Sequence, residues 1–289
     1  MKICTFSIVA YSPQEQAWGI AVASKFPAVG AVVPWARAGA GAVATQSYAN
    51  TSFGPRGIEL MQEGKSAQES IDRLLAEDDQ KELRQVGMVD AAGRPATYTG
   101  ANCLPWAGGL IGEHFAIQGN ILTGPETVHA MADAFQNTSG DFPDRLYAAL
   151  LAGDRAGGDR RGKQSAAILL VKENAGYGGY NDRWLDYRVD DHEDPVPQLA
   201  NLIQLHRLYF GRSEKEKQVK LAGENLKELQ LIAQKLGYYN GTIHGEYDKA
   251  TRTSLRNFLG NENFEDRVDF ENGEIDEPVL QFLLEKFNR

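Results

Sequence analysis

The sequence is poor in cysteine, in proline and in long hydrophobic runs, and it has fewer basic than acidic residues. Two cysteines, Cys4 and Cys103, and 11 prolines occur among its 289 residues. One disulfide is therefore the arithmetical maximum, and no disulfide framework or cysteine-based zinc site is indicated. No apolar stretch approaches the roughly 18 residues of a membrane-spanning helix. With 30 Lys and Arg against 39 Asp and Glu, the acidic surface argues against nucleic acid or an anionic membrane as a partner.

The first residues have the pattern of a strand and not that of a signal peptide. Their short apolar run alternates and reaches Gln14 and Glu15 without a small-residue cleavage site. No export signal is therefore visible, and we expect a cytoplasmic protein.

The chain divides near residue 211 into a glycine-rich part and a mainly helical part. Paired strands alternate with paired helices in residues 1–211, which predicts an α+β fold with two antiparallel sheets and helices outside them. Ser66 and Glu69 form a capping box. Residues 212–221 are charged and predict a linker, and residues 222–289 predict a small three-helix domain. Strands are predicted at 3–10, 18–24, 30–34, 41–46, 85–90, 96–99, 114–121, 164–171 and 183–189, and helices at 55–63, 67–76, 126–136, 144–152 and 197–210.

Thr5 is the first candidate for chemistry. A hydroxyl near a chain start, on a first strand that turns into a second, is typical of N-terminal-nucleophile (Ntn) hydrolases. In these enzymes the free α-amine of the first residue, which titrates at roughly 7.7–8.0, is the base for its own side chain. The alternative is that Thr5 is an ordinary β-branched strand residue.

Nine short stretches resemble one bacterial family of uncharacterised proteins, DUF1028. The resemblance covers nearly all of residues 1–211 and implies an Ntn-hydrolase-like fold of four layers in the order αββα, without an established activity. The stretches are TFSIVA at 5–10, GIAVASK at 19–25, GAVVPWAR at 30–37, GAVATQ at 41–46, GPRG at 54–57, IQGN at 117–120, GGDRRGKQS at 157–165, GGYND at 178–182 and VDDHEDP at 189–195.

The sequence departs from the family at its start. Family members commonly carry the threonine directly after the initiator methionine, whereas residues 1–4 precede Thr5 here. Removal of Met1 alone would leave Lys2 first, so a free amine on Thr5 requires cleavage of the Cys4–Thr5 bond. Otherwise another side chain acts as the base, or the site does not catalyse this chemistry.

The second strand and a glycine-rich loop supply candidate partners for Thr5. Ser24 and Lys25 end the second strand, and a lysine placed similarly in proteasome-type hydrolases lowers the pKa of the nucleophile. Asp159 and Ser165 are candidates to orient the threonine hydroxyl and amine, and the glycines around them permit close backbone approach. The alternatives are a surface lysine and a loop that only turns tightly before a strand.

Two amides and two arginines are candidates for holding a substrate. Gln46 and Asn120 end apolar strands, where an amide can stabilise an oxyanion or can instead tie down a loop. Arg56 and Arg160 could each bind a carboxylate through two hydrogen bonds, although exposed arginines are common.

No cofactor or metal is expected. The densest acidic run, residues 190–194, lies on an extended segment whose neighbouring side chains point to opposite faces. We predict caps and hydrogen bonds from Asp191 and His192 in place of metal coordination.

Residues 222–289 resemble a peptidoglycan-binding domain. The turn GYYNGTIHG at 237–245, Asp248 and Thr251 after it, and GEID at 273–276 carry the resemblance. Tyr238 and Tyr239 could stack on a sugar or a peptide. The alternative is that both tyrosines pack in the core of a docking or dimerisation element.

These observations predict an Ntn-type hydrolase of an amide bond in a small acylated amino acid, a peptide or a cell-wall fragment. Its partners would be that substrate and peptidoglycan, and the fold class favours a homodimer. The competing hypothesis is a binding protein that uses the same cleft without turnover.

Overall fold

The computed structural model describes residues 5–211 and 217–287 and separates into two compact units, Met1–Ile203 and Gln204–Arg289. All strand pairs in the first unit are antiparallel, so the mixed helical and antiparallel class is confirmed. The strands of this unit are β1 (Thr5–Ser12), β2 (Ala17–Ser24), β3 (Pro34–Arg37), β4 (Gly41–Ser47), β5 (Arg84–Asp90), β6 (Pro95–Thr99), β7 (Gly108–Gly112), β8 (Phe115–Asn120), β9 (Ser165–Lys172) and β10 (Arg183–Val189). Its helices are α1 (Phe53–Gln62), α2 (Ala67–Ala76), α3 (Glu126–Asn137), α4 (Phe142–Arg155) and α5 (Pro195–Phe210), the last of which continues into the second unit.

Two sheets form the centre of the first unit. One has the strand order β10-β9-β2-β1-β8-β7 and the other β3-β4-β5-β6. Strands β1 and β2 contact β4, and β8 contacts β5, so the two sheets face each other. Helices α3 and α4 contact β1, while α1 contacts β4 and α2 contacts β5. The helices therefore cover the sheet surfaces that do not face the other sheet.

The alternation of side chains along β1 explains this packing. Phe6, Ile8 and Ala10 pack in one buried cluster with the residues of α3 and α4. Val9 packs instead with residues of the opposite sheet, such as Ala44. Because side chains on a strand point alternately to opposite faces, a strand buried on both faces is largely apolar, and β1 departs from this at the buried Thr5 and Ser7.

The structure corrects the strand prediction at two places. Residues 30–34 form no strand: a 3₁₀ turn spans Val29–Ala31, and β3 begins only at Pro34. The apolar run is instead buried as a turn, in which the N–H of Val33 donates to the carbonyl of Val29. Strand β7 is not predicted from the sequence, because three of its five residues are glycines, which are depleted in strands. The glycines are required there, since a Cβ on Gly109 would lie 2.6 Å from the carbonyl of Ile117. The capping box of Ser66 and Glu69 is confirmed at the start of α2.

The second unit combines three helices with a small antiparallel sheet that the sequence analysis missed. Strand β11 occupies part of the stretch predicted as a linker, so that prediction is wrong there, and residues 212–216 of it lie outside the described residues. The elements are β11 (Gln218–Lys220), α6 (Gly223–Lys235), α7 (Lys249–Asn261), β12 (Val268–Asp269), β13 (Glu274–Asp276) and α8 (Glu277–Phe287).

None of the helices in residues 5–211 and 217–287 combines the length and apolar character that crossing a bilayer requires.

A buried ion pair stabilises the second unit. The guanidinium of Arg267 binds the carboxylate of Asp276, and both side chains are about 5% exposed. The same guanidinium donates to the carbonyls of Arg207 and Leu208 at the end of α5. Arg267 therefore donates to three acceptors at once, of which the carbonyl of Arg207 also accepts from the N–H of Gly211.

We predict that Arg267→Met lowers the free energy of unfolding of residues 204–289 by about 3–5 kcal/mol, because it leaves the buried Asp276 carboxylate without its cation. Urea unfolding followed by amide hydrogen exchange in α6 to α8 measures this. Arg252→Met is the matched control, since Arg252 pairs with Glu271 at the surface and such pairs contribute about 1 kcal/mol or less. Equal losses in the two variants would contradict the assignment.

Candidate functional site

A row of four polar side chains crosses the six-stranded sheet at one end. Thr5 pairs with Asn120 on one side and with Ser24 on the other, and Ser24 pairs with Ser165. Each residue is at most 2% exposed. Residues in register share a face of the sheet. Thr5 and Val9 lie on the same face of β1, and Val9 packs against the other sheet. This strand-end row therefore faces the space between the sheets. All four residues were predicted as site residues.

Thr5 is held by both its side chain and its backbone. Its Oγ1 donates to Ser24 Oγ at 3.3 Å, and its carbonyl accepts from Gln46 Nε2 at 3.2 Å. The residue is fully buried. Among the described residues, no hydrogen bond or ion pair joins Thr5 to the side chains of Lys25 or Asp159.

Lys25 donates to the loop that contains Asp159, and Asp159 accepts from the backbone of Lys25. The ammonium of Lys25 donates to the carbonyl of Lys163 at 3.1 Å, and its backbone N–H donates to Asp159 Oδ2 at 2.9 Å. The Asp159 carboxylate also accepts from the backbone and the guanidinium of Arg161. Asp159 therefore ties the end of β2 to the loop before β9.

Ser165 and Arg160 also fix backbone in this region. The hydroxyl of Ser165 donates to the carbonyl of Phe26 and accepts from the N–H of Val29 at 3.1 Å. The N–H of Arg160 donates to the carbonyl of Ile121 at 3.1 Å, and its side chain is exposed.

A cavity of about 80 Å³ lies beside the strand-end row. Two members of the row, Ser24 and Ser165, line it together with Asp154, Asp159 and Lys163. It is the size of a small functional group, and serine, aspartate and lysine residues line it together.

Lys163 is the cation that lines this cavity among the described residues. It is not one of the predicted site residues. Its Nζ lies 2.6 Å from Asp154 Oδ2 and 2.7 Å from Asp194 Oδ1. Burial works to lower the pKa of Lys163, but the hydrogen bonds that its ammonium donates to the two carboxylates outweigh burial and raise that pKa. The available signal was the lysine in the GGDRRGKQS loop and the acidic run at residues 190–194, which supplies Asp194.

An amide network lies between the two sheets next to the row. Gln46 Nε2 donates to Gln85 Oε1 at 2.8 Å, and Asn120 Nδ2 donates to the same oxygen at 2.9 Å. Ser7 Oγ donates to Gln46 Oε1 at 2.6 Å and accepts from Gln118 Nε2 at 2.6 Å. The predicted oxyanion donors Gln46 and Asn120 are thus members of a network that also contains Ser7, Gln85 and Gln118, which were not predicted.

Backbone strain accompanies these amides. Ser47 follows Gln46 with φ 68°, and Ile121 follows Asn120 with φ 51°. A β-branched residue in the left-handed region is a genuine outlier, and such strain persists where the surrounding structure imposes it, often at functional sites.

Arg56 and Cys103 make their contacts with residues outside the strand-end row. Arg56 pairs with Glu77 of the neighbouring helix, and both side chains are 42% exposed. Burial raises the pKa of the Cys103 thiol, which donates to the carbonyl of Arg84 at 3.3 Å.

The two candidate tyrosines of the second unit differ in exposure. Tyr239 is buried, and its hydroxyl donates to the carbonyl of Thr242 at 2.9 Å. Tyr238 is half-buried, with its ring centroid 5.6 Å from that of Phe258. Both line an open groove of about 750 Å³ beside α7.

Within residues 5–211 and 217–287, no group of three or more His, Cys, Asp or Glu side chains is arranged to hold a metal ion. In the acidic run, Asp191 accepts from Gln164 and His192 Nδ1 accepts from the N–H of Asp194, as predicted.

Both parts of the chain are similar to known families. The model described as "Family of unknown function (DUF1028)" matches residues 5–199, and that described as "Putative peptidoglycan binding domain" matches residues 209–283. Among solved structures, the DUF1028 protein SPO2555 from Silicibacter pomeroyi matches with a TM-score of 0.65 and 28% identity, over 71% of this chain and 89% of that chain. No curated protein matches the sequence. The two resemblances are therefore confirmed.

The ion pair between Asp78 and Arg84 supports the end of β4. Asp78 accepts from Arg84 Nε at 2.8 Å and from Asn50 Nδ2 at 2.9 Å, and Arg84 also donates to the carbonyl of Tyr48 at 2.6 Å. The hydrogen bond from Arg84 lowers the pKa of Asp78 from 3.8 to about 2.

We predict that the stability contributed by Asp78 is present above about pH 4 and is lost as the pH falls towards 2, because the folded state holds this carboxylate charged. The difference in free energy of unfolding between the native chain and Asp78→Asn should shrink over that interval in urea titrations. Arg84→Met should remove the same dependence. A difference that is equal at pH 2 and pH 7 would contradict this.

Proposed function

This chain belongs, through residues 5–199, to the DUF1028 family of unknown function, and from that premise we propose that it is an Ntn-type amidohydrolase with Thr5 as its nucleophile. The observation that carries the proposal is the position of Thr5. It lies on a central strand, in register with Asn120 and Ser24, it faces the space between two sheets, and its hydroxyl donates to a second hydroxyl, that of Ser24.

The arrangement of layers supports the proposal. Helices α3 and α4, the six-stranded sheet, the four-stranded sheet and then α1 with α2 contact one another in that order. This is the order αββα that the family resemblance implies, and an Ntn nucleophile begins a strand at the inner face of such a sheet.

The proposed chemistry needs the Cys4–Thr5 bond to be cleaved. The α-amine of Thr5, with an ordinary pKa of roughly 7.7–8.0, then accepts the hydroxyl proton while Oγ1 attacks the amide carbonyl of the substrate. The tetrahedral intermediate collapses to a Thr5 ester, and the proton passes to the departing amine. Water, deprotonated by the same α-amine, then attacks the ester carbonyl. The acyl–Oγ1 bond breaks, the acid leaves, and the α-ammonium returns the proton to Oγ1.

The neighbouring residues take different parts in this scheme. Ser24 accepts from the nucleophilic hydroxyl, and Gln46 holds the Thr5 carbonyl. Asn120, in register beside Thr5, is the proposed oxyanion donor. Lys163 and Asp159, with Ser165, shape the adjoining cavity, while Lys25 closes the loop beside it.

A cell-wall fragment is the substrate class that the second unit favours, because residues 209–283 match the peptidoglycan-binding model. The exposed Arg160 is proposed to bind the carboxylate of such a fragment or of an acylated amino acid; Arg56 is a weaker candidate because it pairs with Glu77. A homodimer and a cytoplasmic location stay predictions.

A binding protein without turnover is the second candidate. It is favoured by the full burial of Thr5 and by the Asp159 carboxylate, which is already occupied by Arg161 and by the backbone of Lys25.

Intact mass and amide hydrolysis together test the nucleophile. We predict that the active preparation lacks residues 1–4 and that Thr5→Ala lowers kcat/KM on a panel of acylated amino acids, dipeptides and muropeptides by about a thousandfold or more. Thr5→Ser should retain measurable turnover, because it keeps a hydroxyl.

Thr45→Ala is the matched control for this experiment. Thr45 is an equally buried strand threonine whose hydroxyl donates to the carbonyl of Asn50, so its loss should lower stability and leave kcat unchanged. Hydrolysis by an uncleaved chain that Thr5→Ala does not slow would overturn the proposal, and a cleaved chain inactive on the whole panel would favour the binding protein.

Retention on purified bacterial sacculi tests the second unit. We predict that the full chain sediments with sacculi, is released by soluble fragments of the same sacculi, and does not sediment with cellulose. A chain that stays in the supernatant would remove peptidoglycan as a partner.

A further inference from the structure

A groove in the second unit is lined by a residue whose buried hydroxyl has no hydrogen-bond partner among the described residues. The groove lies between the turn at residues 238–241 and one face of α7, formed by Ala250, Thr253, Ser254 and Asn257. These four residues are spaced three and four apart, so they share one helix face. All are short, which leaves the space of about 750 Å³ open.

Ser254 stands out among the polar groups of this groove. It is 5% exposed, and in the described part of the chain its Oγ has no hydrogen-bond partner. The other hydroxyls nearby are engaged: Thr253 donates to the carbonyl of Lys249, and Tyr239 to that of Thr242. A buried hydroxyl without a partner is unfavourable, so a ligand that pairs with it recovers this free energy.

The remaining walls define the ligand chemistry. The half-buried ring of Tyr238 supplies a flat apolar wall, and the exposed amide of Asn257 supplies both a donor and an acceptor. The charged residues at the groove are Asp248 and Lys249, which cancel. Asp248 is moreover the N-cap of α7 and accepts from the N–H of Thr251 at 2.7 Å, so the positive end of the helix is already compensated.

We propose that this groove binds an N-acetylated amino sugar of a glycan strand, with the Ser254 hydroxyl and the Asn257 amide hydrogen-bonding the acetamido group and the sugar ring lying against Tyr238. The inference rests on the proposed cell-wall binding of the second unit and specifies its site and ligand. An acetamido group is neutral and carries one donor and one acceptor, which matches a groove without net charge.

Other cell-wall components fit less well. A stem peptide carries several carboxylates and an amine, and the groove offers one exposed ion of each sign, of which Asp248 is committed to capping. A phosphate-rich polymer would need a cluster of cations, and Lys249 is the one cation lining this groove among the described residues.

Calorimetric titration of the full chain with tri-N-acetylchitotriose tests the proposal. We expect Ser254→Ala to weaken binding by about 2- to 10-fold through the lost hydrogen bond, with an unchanged or raised Tm because the unsatisfied hydroxyl is gone. Asn257→Ala should weaken binding as well. Asn261→Ala, an exposed asparagine one turn further along α7 and outside the groove, is the matched control and should bind as the native chain does.

Each alternative result has a defined meaning. Equal binding by Ser254→Ala, Asn257→Ala and the native chain would overturn the groove as the site. Ser254-dependent binding of a free stem peptide, or of cellotriose, which lacks the acetamido group, would overturn the sugar assignment. Retention on sacculi without chitotriose binding would overturn this inference alone and leave wall binding standing. Absence of retention would remove peptidoglycan as a partner, and with it both the proposed wall binding and this inference.

Discussion

The amide network between the two sheets is the constraint on which the geometry of the first unit depends. An apolar layer would tolerate sliding of one sheet over the other, whereas buried amides must keep specific partners or pay desolvation. The glycine at position 87 leaves room for one of these amides, since a Cβ there would lie 1.9 Å from Gln118 Oε1. Because Gln46 also holds the carbonyl of Thr5, the position of the candidate nucleophile follows from the network.

The charges near the strand-end row are paired before any substrate arrives. Lys163 binds Asp154 and Asp194, and Asp159 binds Arg161. Paired groups fix loops precisely, because each carboxylate is already an acceptor in short charge-assisted bonds. In the proposed function the base is instead the α-amine of Thr5, which cleavage of the Cys4–Thr5 bond would free.

The sequence allows local features to be predicted and leaves long-range partnerships open. Thr5 and Ser24 meet because a short turn joins their strands and sets the register, and the capping box of Ser66 needs only four residues. The partners of Lys163 come from 9 and 31 positions away, through a loop whose path depends on left-handed glycines such as Gly157 and Gly162. The contact of Gln85 with Asn120 crosses between sheets, and no local pattern in either strand specifies it.

Two of the buried polar side chains in the second unit, Arg267 and Ser254, differ in whether they have hydrogen-bond partners. Arg267 is satisfied by Asp276 and by the end of α5, as expected for a group that the fold itself needs. Ser254 lines an open groove, and its buried Oγ has no hydrogen-bond partner among the described residues, although its neighbour Thr253 shows that a hydroxyl on α7 can donate to a carbonyl of the same helix. Since native proteins pair nearly all buried polar atoms, a persistent exception beside a groove is better explained by a ligand than by the fold.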